Sequence, residues 1–237
     1  MKRREWIHGA AILSVVAATS RASVVHALCA APHFQRWVHG DLAAPRPASA
    51  GIVVVESEGG SPVLVDDVAT LRLISPSGTE TALVSQAIAD GIVVLRPEAL
   101  VPPGRFSTRG FRVERPLTLD LTGATLTPPV PPRVAAVQHR VTTHTGRGRT
   151  MTTGSLRLEV PGVVAGTMLI ARWSEGSVLR DTWGIVDHDA SVELASSARC
   201  SGHGRFPPQG IAITLHTLDT FGQLSAGSTP VRIPPPS

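Results

Sequence analysis

Short runs of β-branched and other apolar residues recur along this sequence, and turns rich in proline and glycine separate them. Residues 51–55 form the most apolar run. In the run 68–74, Ala69, Leu71 and Leu73 are predicted to point to one side and Thr70, Arg72 and Ile74 to the other, as in a strand buried mainly on one face. Residues 84–90 come nearest to a helical pattern, but they are too few and too small to bury an apolar stripe. The pattern therefore predicts an all-β protein made of antiparallel β-sandwiches.

A proline-rich stretch divides the sequence into two halves of similar style. Residues 128–132 have the sequence Pro-Pro-Val-Pro-Pro, which cannot donate hydrogen bonds to a sheet and prefers an extended polyproline conformation. The 237 residues are enough for one large or two ordinary domains. We therefore predict two tandem sandwich domains, residues 51–127 and 133–237, joined by the linker 128–132 and preceded by an extended segment, 28–50.

Two stretches resemble a known class of domains. Residues 95–108 contain an apolar strand, prolines, a Pro-Gly turn and a strand with Phe106, and they resemble bacterial Ig-like domains found in surface-layer and envelope proteins. Residues 215–228 are similar to the last hairpin of Ig-like and fibronectin-like modules, in which Asp219 would accept from backbone amides and Gly222 would take a positive φ. The resemblance implies a non-enzymatic binding, adhesive or structural module of the cell envelope, with an unknown protein or glycan as its ligand.

The N-terminus has the pattern of a signal peptide. A positive start, residues 1–4, precedes a mostly apolar or small stretch, 7–18, that is too short to span a membrane. Small residues at Val25 and Ala27 predict cleavage after Ala27, and cleavage after Ala22 is the alternative. The pair Arg3-Arg4, followed by Trp6 and Ile7, resembles a twin-arginine export signal, although an ordinary Sec signal also begins with basic residues. Both routes predict an exported protein that is periplasmic, held at the cell surface or released, with no membrane span after cleavage.

The charge balance argues against a nucleic-acid partner. Residues 1–27 hold four of the 22 basic and one of the 18 acidic residues, so the mature chain keeps 18 basic and 17 acidic side chains. A nearly neutral chain has no electrostatic footprint for nucleic acid. Arg105 and Arg109 lie in a cluster that contains Glu114, and we interpret that cluster as a solvated strand face.

Cys29 and Cys200 are predicted to form a disulfide bond, because disulfides form in oxidising compartments outside the cytoplasm. On the loop-entropy model, a bridge that closes a loop of about 170 residues contributes about 4 to 5 kcal/mol. The alternative is acylation of Cys29, which requires a small residue immediately before the cysteine. Leu28 occupies that position, so we favour the disulfide.

Catalytic and cofactor motifs are not found in the sequence. It has no Gly-x-Ser-x-Gly turn, no His-Glu-x-x-His and no glycine-rich phosphate loop before a helix, so we predict no enzyme activity and no cofactor. Residues 145–150 are rich in glycine and arginine, and we interpret them as a hairpin loop. Glu56 and Glu58 fall two apart at a strand end, where such a pair is usually solvated.

Metal binding is the alternative function. Exported copper carriers of the CopC kind are Ig-like sandwiches with histidine sites, and the stretch 187–189 is loosely similar to their Asp-Gly-His sequence. Cys200 and His203 have a spacing that could supply two metal ligands, but a disulfide would use the thiol. The sequence therefore offers His188 and His203 as candidate ligands for the alternative of an envelope copper carrier, and the binding-module interpretation assigns no metal site.

The three tryptophans beyond the signal peptide are predicted to pack rather than to bind ligands. Trp173 ends one apolar strand and Trp183 opens the next, which favours core or inter-sheet packing. Trp37 lies in the N-terminal segment and could cover the contact between the two domains. An exposed tryptophan beside Arg172 or Arg180 would instead be a candidate for stacking on a sugar.

Overall fold

The protein is all-β, as the sequence predicts. A computed structural model describes its structure, and the described ranges belong to one compact unit. They contain no α-helix, and one 3-10 turn at Val68–Thr70 interrupts the strands. No helix in the described part of the chain is long and apolar enough to cross a membrane. The described residues are 35–57, 64–65, 68–112, 117–146, 149–195 and 209–236.

The strands of the first half form one hydrogen-bonded ladder in the order β2-β10-β8-β5-β6-β7-β3-β1-β4-β9. Every pair is antiparallel except β2 with β10. The strands are β1 (Gln35–His39), β2 (Arg46–Pro47), β3 (Ile52–Ser57), β4 (Leu64–Val65), β5 (Arg72–Ile74), β6 (Glu80–Ala89), β7 (Ile92–Pro97), β8 (Gly104–Arg109), β9 (Phe111–Arg112) and β10 (Thr118–Thr122).

Strand β6 carries the ladder from one layer of the first half to the other. Residues 80–82 pair with β5, whereas residues 83–89 pair with β7, and the register shifts between Ala87 and Ala89. Apolar side chains of the two layers meet in a first core that includes Leu71, Leu73 and Phe106. The layers therefore enclose a sandwich-like core.

The second half has two sheets around a core of its own. A three-stranded sheet has the order β11-β12-β15, and a four-stranded sheet has the order β14-β13-β16-β17. Trp173 is buried in the second core between them, as predicted. The strands are β11 (Ala136–Gly146), β12 (Arg149–Glu159), β13 (Met168–Glu175), β14 (Val178–Ile185), β15 (Ser191–Ala195), β16 (Ala212–Leu218) and β17 (Val231–Arg232).

A third apolar cluster, here called the seam, joins the two halves. Its side chains come from the outer faces of β3 and β7 in the first half and of β13 and β16 in the second. Both faces of β3 are thus buried, which explains why the run 51–55 is apolar without alternation. Trp37 packs against the seam, as predicted for a tryptophan that covers the contact between the halves, and Trp183 packs against the seam as well. The fully buried seam residues are Val53, Val55, Ile92, Val94, Met168, Ile170 and Leu218.

Two local expectations from the sequence need correction. The run 68–74 is not one strand, because Val68–Thr70 forms a 3-10 turn before β5 begins. Leu71 and Leu73 are buried as predicted, but Ala69 is exposed. The hairpin expected over 145–150 has a shorter loop than predicted, because Gly146 still pairs with Arg149.

The proline-rich stretch 128–132 has no regular secondary structure and lies against the second half. The Thr217 hydroxyl donates to the carbonyl of Val130 over 3.1 Å, and the side-chain amide of Gln223 donates to the carbonyl of Thr127 over 3.2 Å. Since the two halves belong to one compact unit, a division into separate domains at this stretch stays a prediction.

Candidate functional site

A groove with a volume of about 770 Å³ opens on the flank of the first half. Its apolar floor contains Val54, Leu83 and Val93, which belong to the first core or pack against it. The chain turns away from β6 at Val68–Thr70, and Ala69 of this turn lines the groove. The groove therefore lies where the layer that contains β5 no longer covers the layer formed by β6, β7 and β3.

The long side of the groove is the edge of β6 that faces away from β7. The carbonyl of Ala82 accepts from the amide of Glu98, on the side where β7 lies. Backbone groups of successive residues in a strand point to alternate edges, so Ser85 and Ala87 direct their N–H and C=O groups to the opposite edge. Within the described part of the chain, residues 84–87 pair only with β7. This stretch is here called the open edge.

One end of the groove carries an ion pair between neighbouring strands. Arg36 on β1 lies directly across from Glu56 on β3, and the distance from Nε to Oε1 is 3.6 Å. About a third or more of each side chain is exposed, so the pair contributes little to stability by itself. The pair places both charges at the groove surface.

The other end of the groove is the β6–β7 turn, which the second half holds in place. Asp181 on β14 accepts a 3.0 Å hydrogen bond from the amide of Asp90 through Oδ1. Trp183 on the same strand donates from Nε1 to the carbonyl of Asp90 over 3.0 Å. Arg172 on β13 donates to the carbonyl of Ile88. These contacts, here called the hairpin margin of the seam, make Asp181 part of the groove lining.

At another place along the seam, Arg46 is 2% exposed and bridges the two halves. Its Nη2 donates to the carbonyls of Gly51 and Thr220, each over 3.0 Å, and its guanidinium lies 5.6 Å from the ring centre of Phe221. Burial lowers the pKa of Arg46 to about 10, because the charged form loses its water, and the carboxylate of Asp219 offsets part of this effect.

Arg96 holds the same turn of the second half, at residues 219–222. Its guanidinium donates to the carbonyl of Ser49 over 2.9 Å and to that of Gly222 over 2.8 Å. Gly222 has a φ of +76°, and a Cβ there would lie 2.6 Å from a methyl group of Val94. Asp219 accepts from the amides of Phe221 and Gln223, so the turn roles predicted for Asp219 and Gly222 are confirmed. The contacts of Arg46 and Arg96 are here called the arginine margin.

Most of the site residues predicted from sequence lie outside the described residues. This applies to Cys29, Cys200 and His203, so the disulfide and that half of the metal hypothesis stay predictions. His188 is exposed in the turn between β14 and β15. Its neighbour Asp189 accepts from the amide and hydroxyl of Ser191 and pairs with Arg157, which shapes the turn. In the described ranges, no three His, Cys, Asp or Glu side chains form a metal-binding group.

The other charged residues singled out in the sequence are placed as follows. Arg105 and Arg109 are exposed on β8, and Arg109 pairs with Glu80 over 2.6 Å, which agrees with a solvated strand face. Glu56 pairs with Arg36, whereas Glu58 lies outside the described residues. Arg172 and Trp183 are neighbours in the hairpin margin, where the indole N–H is bonded to the carbonyl of Asp90.

Sequence reasoning did not find the groove. The feature that could have indicated it is the run of small side chains at Ser85, Ala87 and Ala89, which leaves room above the sheet. The contribution of Asp181 could not be predicted, because it lies 91 residues from Asp90 along the chain.

Comparison with known proteins gives no family for this chain. No family model and no curated protein matches it. Two matching solved structures are of a pullulanase from Anoxybacillus sp. LM18-11, complexed with maltotetraose in one case and with maltotriose in the other. The first has 8% identity and a TM-score of 0.20 over 74% of this chain and 22% of the other. The second has 8% identity and a TM-score of 0.23 over 84% and 27%.

The chain thus spans about a quarter of the length of those structures. Similarity this low carries no argument about function. The class of protein therefore follows from the strands themselves: an all-β protein with sheets layered as in a sandwich.

Proposed function

We propose that this is an exported, non-enzymatic binding module of the cell envelope, and that its ligand occupies the groove. The observation that carries the proposal is that the groove combines an open strand edge from the first half with Asp181 from the second. A site completed by residues of both halves gives a reason for the halves to be packed together.

The seam supports this function because it holds the groove in one geometry. Its central residues are fully buried, and its two margins add hydrogen bonds across the halves. A site that is already ordered loses little conformational entropy when a ligand binds. The groove volume also falls within the usual range of ligand sites, about 300 to 1,000 Å³.

The carboxylates of the groove favour binding over catalysis. Glu56 faces Arg36, and Asp181 accepts from the amide of Asp90, so two of the three carboxylates that line the groove have a structural contact. The ligand would be a protein or glycan of the envelope. Export through the signal peptide at residues 1–27 is part of the same proposal and rests on the sequence pattern alone.

Crosslinking in the native cells tests the proposal. A photoreactive amino acid replaces Ala87 in the groove, and the matched control carries it at Val164, which is 75% exposed and does not line the groove. We expect an adduct in the envelope fraction from position 87 and none from position 164. Equal adducts from both positions, or none from position 87, would contradict a ligand site in the groove. A protein confined to the cytoplasm would contradict export.

A further inference from the structure

We propose that the groove binds an extended peptide, which adds to the open edge of β6 as a further strand and places a basic side chain near Asp181. This inference rests on the proposed function and names the ligand class of the same site. Three features support it: the backbone groups of β6, the shape of the groove and its charge.

The backbone of β6 offers hydrogen bonds over a short, bounded stretch. The stretch begins after Ala82, which pairs with Arg72 of β5. It ends at Ile88, whose carbonyl already accepts from Arg172. Between them, the N–H and C=O groups of Ser85 and Ala87 point to the open edge. An extended peptide that pairs with an exposed strand satisfies such groups through its own backbone.

The shape of the groove suits the side chains of an added strand. Ala69, Ser85, Ala87 and Ala89 are small residues that line it, and they leave the space of about 770 Å³ open. Alternate side chains of an added strand point to the same face, so every second side chain would enter this space. The apolar floor formed by Val54 and Val93 would contact those side chains.

The charge of the groove favours a basic partner. The lining contains one cationic side chain, Arg36, and three carboxylates, Glu56, Asp90 and Asp181, which gives a formal charge of −2. Arg36 lies against Glu56 at one end of the groove, so Asp181 at the other end is the carboxylate that a basic side chain of the peptide would face. Arg172 on β13 lies directly across from Asp181, and its guanidinium donates to the carbonyl of Ile88, so the lining together with this neighbour has a formal charge of −1. Opposite charges across an interface favour specific association.

A glycan is the less suitable occupant. None of the described side chains that line the groove is aromatic, so the groove offers no flat face on which a sugar ring could stack. Trp183, the nearby aromatic residue of the hairpin margin, packs against the seam and donates its N–H to Asp90.

The test is selection of peptides from a random 12-residue display library on the full exported chain. We expect the enriched sequences to combine β-branched residues with Lys or Arg. In one selected peptide, methylation of single backbone nitrogens should abolish binding at alternate residues only, because an added strand bonds to its neighbour through every second residue. Binding that tolerates methylation at all positions would overturn strand addition.

Variants of the protein test the two parts of the inference separately. Ala87→Pro removes an N–H from the open edge without removing a bond to β7, and we expect about tenfold weaker peptide binding. Ala87→Ser is the matched control, because it keeps the N–H and a small side chain. The Asn side chain of Asp181→Asn can still accept from the amide of Asp90. We expect this variant to bind basic peptides more weakly, and the difference from the unchanged protein should shrink as salt is added. Glu193→Gln, an exposed acid on β15, is the control for charge.

Equal binding by Ala87→Pro and Ala87→Ser, with matching thermal midpoints, would overturn the inference. So would the absence of any enriched peptide. If the photoreactive residue at position 87 still gave an adduct in cells and that adduct resisted protease, the proposal of a binding module would stand. Its ligand would then not be a peptide. If it gave no adduct, both proposals would fail. A dimer in sedimentation that Ala87→Pro converts to a monomer would assign the edge to a second copy and overturn the peptide.

Discussion

The two margins of the seam join the same two halves by different means. At the arginine margin, Arg46 is almost fully buried, and its hydrogen bonds cross from Gly51 to Thr220. At the hairpin margin, the hydrogen bonds of Asp181 and Trp183 to Asp90 are exposed to solvent. Water can replace an exposed hydrogen bond but not a buried one. The arginine margin is therefore structural, whereas the hairpin margin leaves a surface that a ligand can reach.

The arginine margin is not optimised for stability alone. Nε and Nη1 of Arg46 are buried without a hydrogen-bond partner among the described residues, and burial lowers the pKa of this side chain. Replacement of a buried charged group by an apolar one of similar volume is often neutral, whereas its truncation leaves the partner groups unsatisfied. The margin is therefore expected to add little net free energy to the seam.

The largest loss of stability is expected from a substitution at the centre of the seam. This loss is the reference against which substitutions at the two margins are compared. Ile170→Ala removes a fully buried side chain between β13 and the first half, and we expect it to reduce the free energy of unfolding by about 3 to 4 kcal/mol. Urea unfolding measures the change. Ile185→Ala, at a 37% exposed position on β14, is the control and should cost less than about 1 kcal/mol. Equal costs would mean that the halves are not joined through the apolar cluster.

The next effect is expected at the arginine margin. Arg46→Ala leaves the carbonyls of Gly51 and Thr220 without this donor in a buried site, so we expect a loss of about 2 to 3 kcal/mol. Arg46→Met keeps much of the volume and should lose less. The comparison of the margins would fail if Arg46→Ala were no more destabilising than the loss of the exposed hydrogen bond of Trp183.

A smaller effect is expected at the hairpin margin. Trp183→Phe keeps an aromatic ring against the seam but removes the N–H that donates to Asp90, and we expect a loss of about 1 kcal/mol. The same variant should loosen the β6–β7 turn, which faster amide exchange at Asp90 and Gly91 would show. Unchanged exchange there would mean that Asp181 and Arg172 hold the turn without the indole.

The smallest effect is expected from His39, which is buried on β1. Burial lowers the pKa of His39 below its ordinary value of 6.5, and a hydrogen bond with the backbone of Gly166 offsets part of the shift. Above pH 6.5 the ring is neutral in both states, and its full contribution to stability is present. As the pH falls through 6.5 the unfolded chain takes up the proton first, so stability is lost.

Thermal midpoints on either side of pH 6.5 measure this loss. His39→Gln should reduce the loss on acidification, and His188→Gln, at an exposed position, is the matched control. A loss that is as large in His39→Gln as in the unchanged chain would assign the acid sensitivity to other groups.

Local patterns predicted much of the first and second cores. Leu71 and Leu73 alternate with their neighbours and are buried, and Asp219 with Gly222 forms the expected turn. These features depend on residues close together in the chain. The path of β6 was not predicted, because small residues such as Ser85 and Ala87 show neither the hydrophobic period of a helix nor that of a strand. The groove depends on that path.

The sequence by itself determined that the protein is all-β, where most of the turns lie and which strand faces are apolar, because period-two alternation and turn chemistry act between near neighbours. Only the tertiary structure decided what the second apolar face of β3 packs against and that Arg46 would be buried beside Thr220. Arg46 and Thr220 lie 174 residues apart, and contacts at that separation depend on how whole sheets pack. The groove follows from the same packing, since Asp181 reaches it from the other half of the chain.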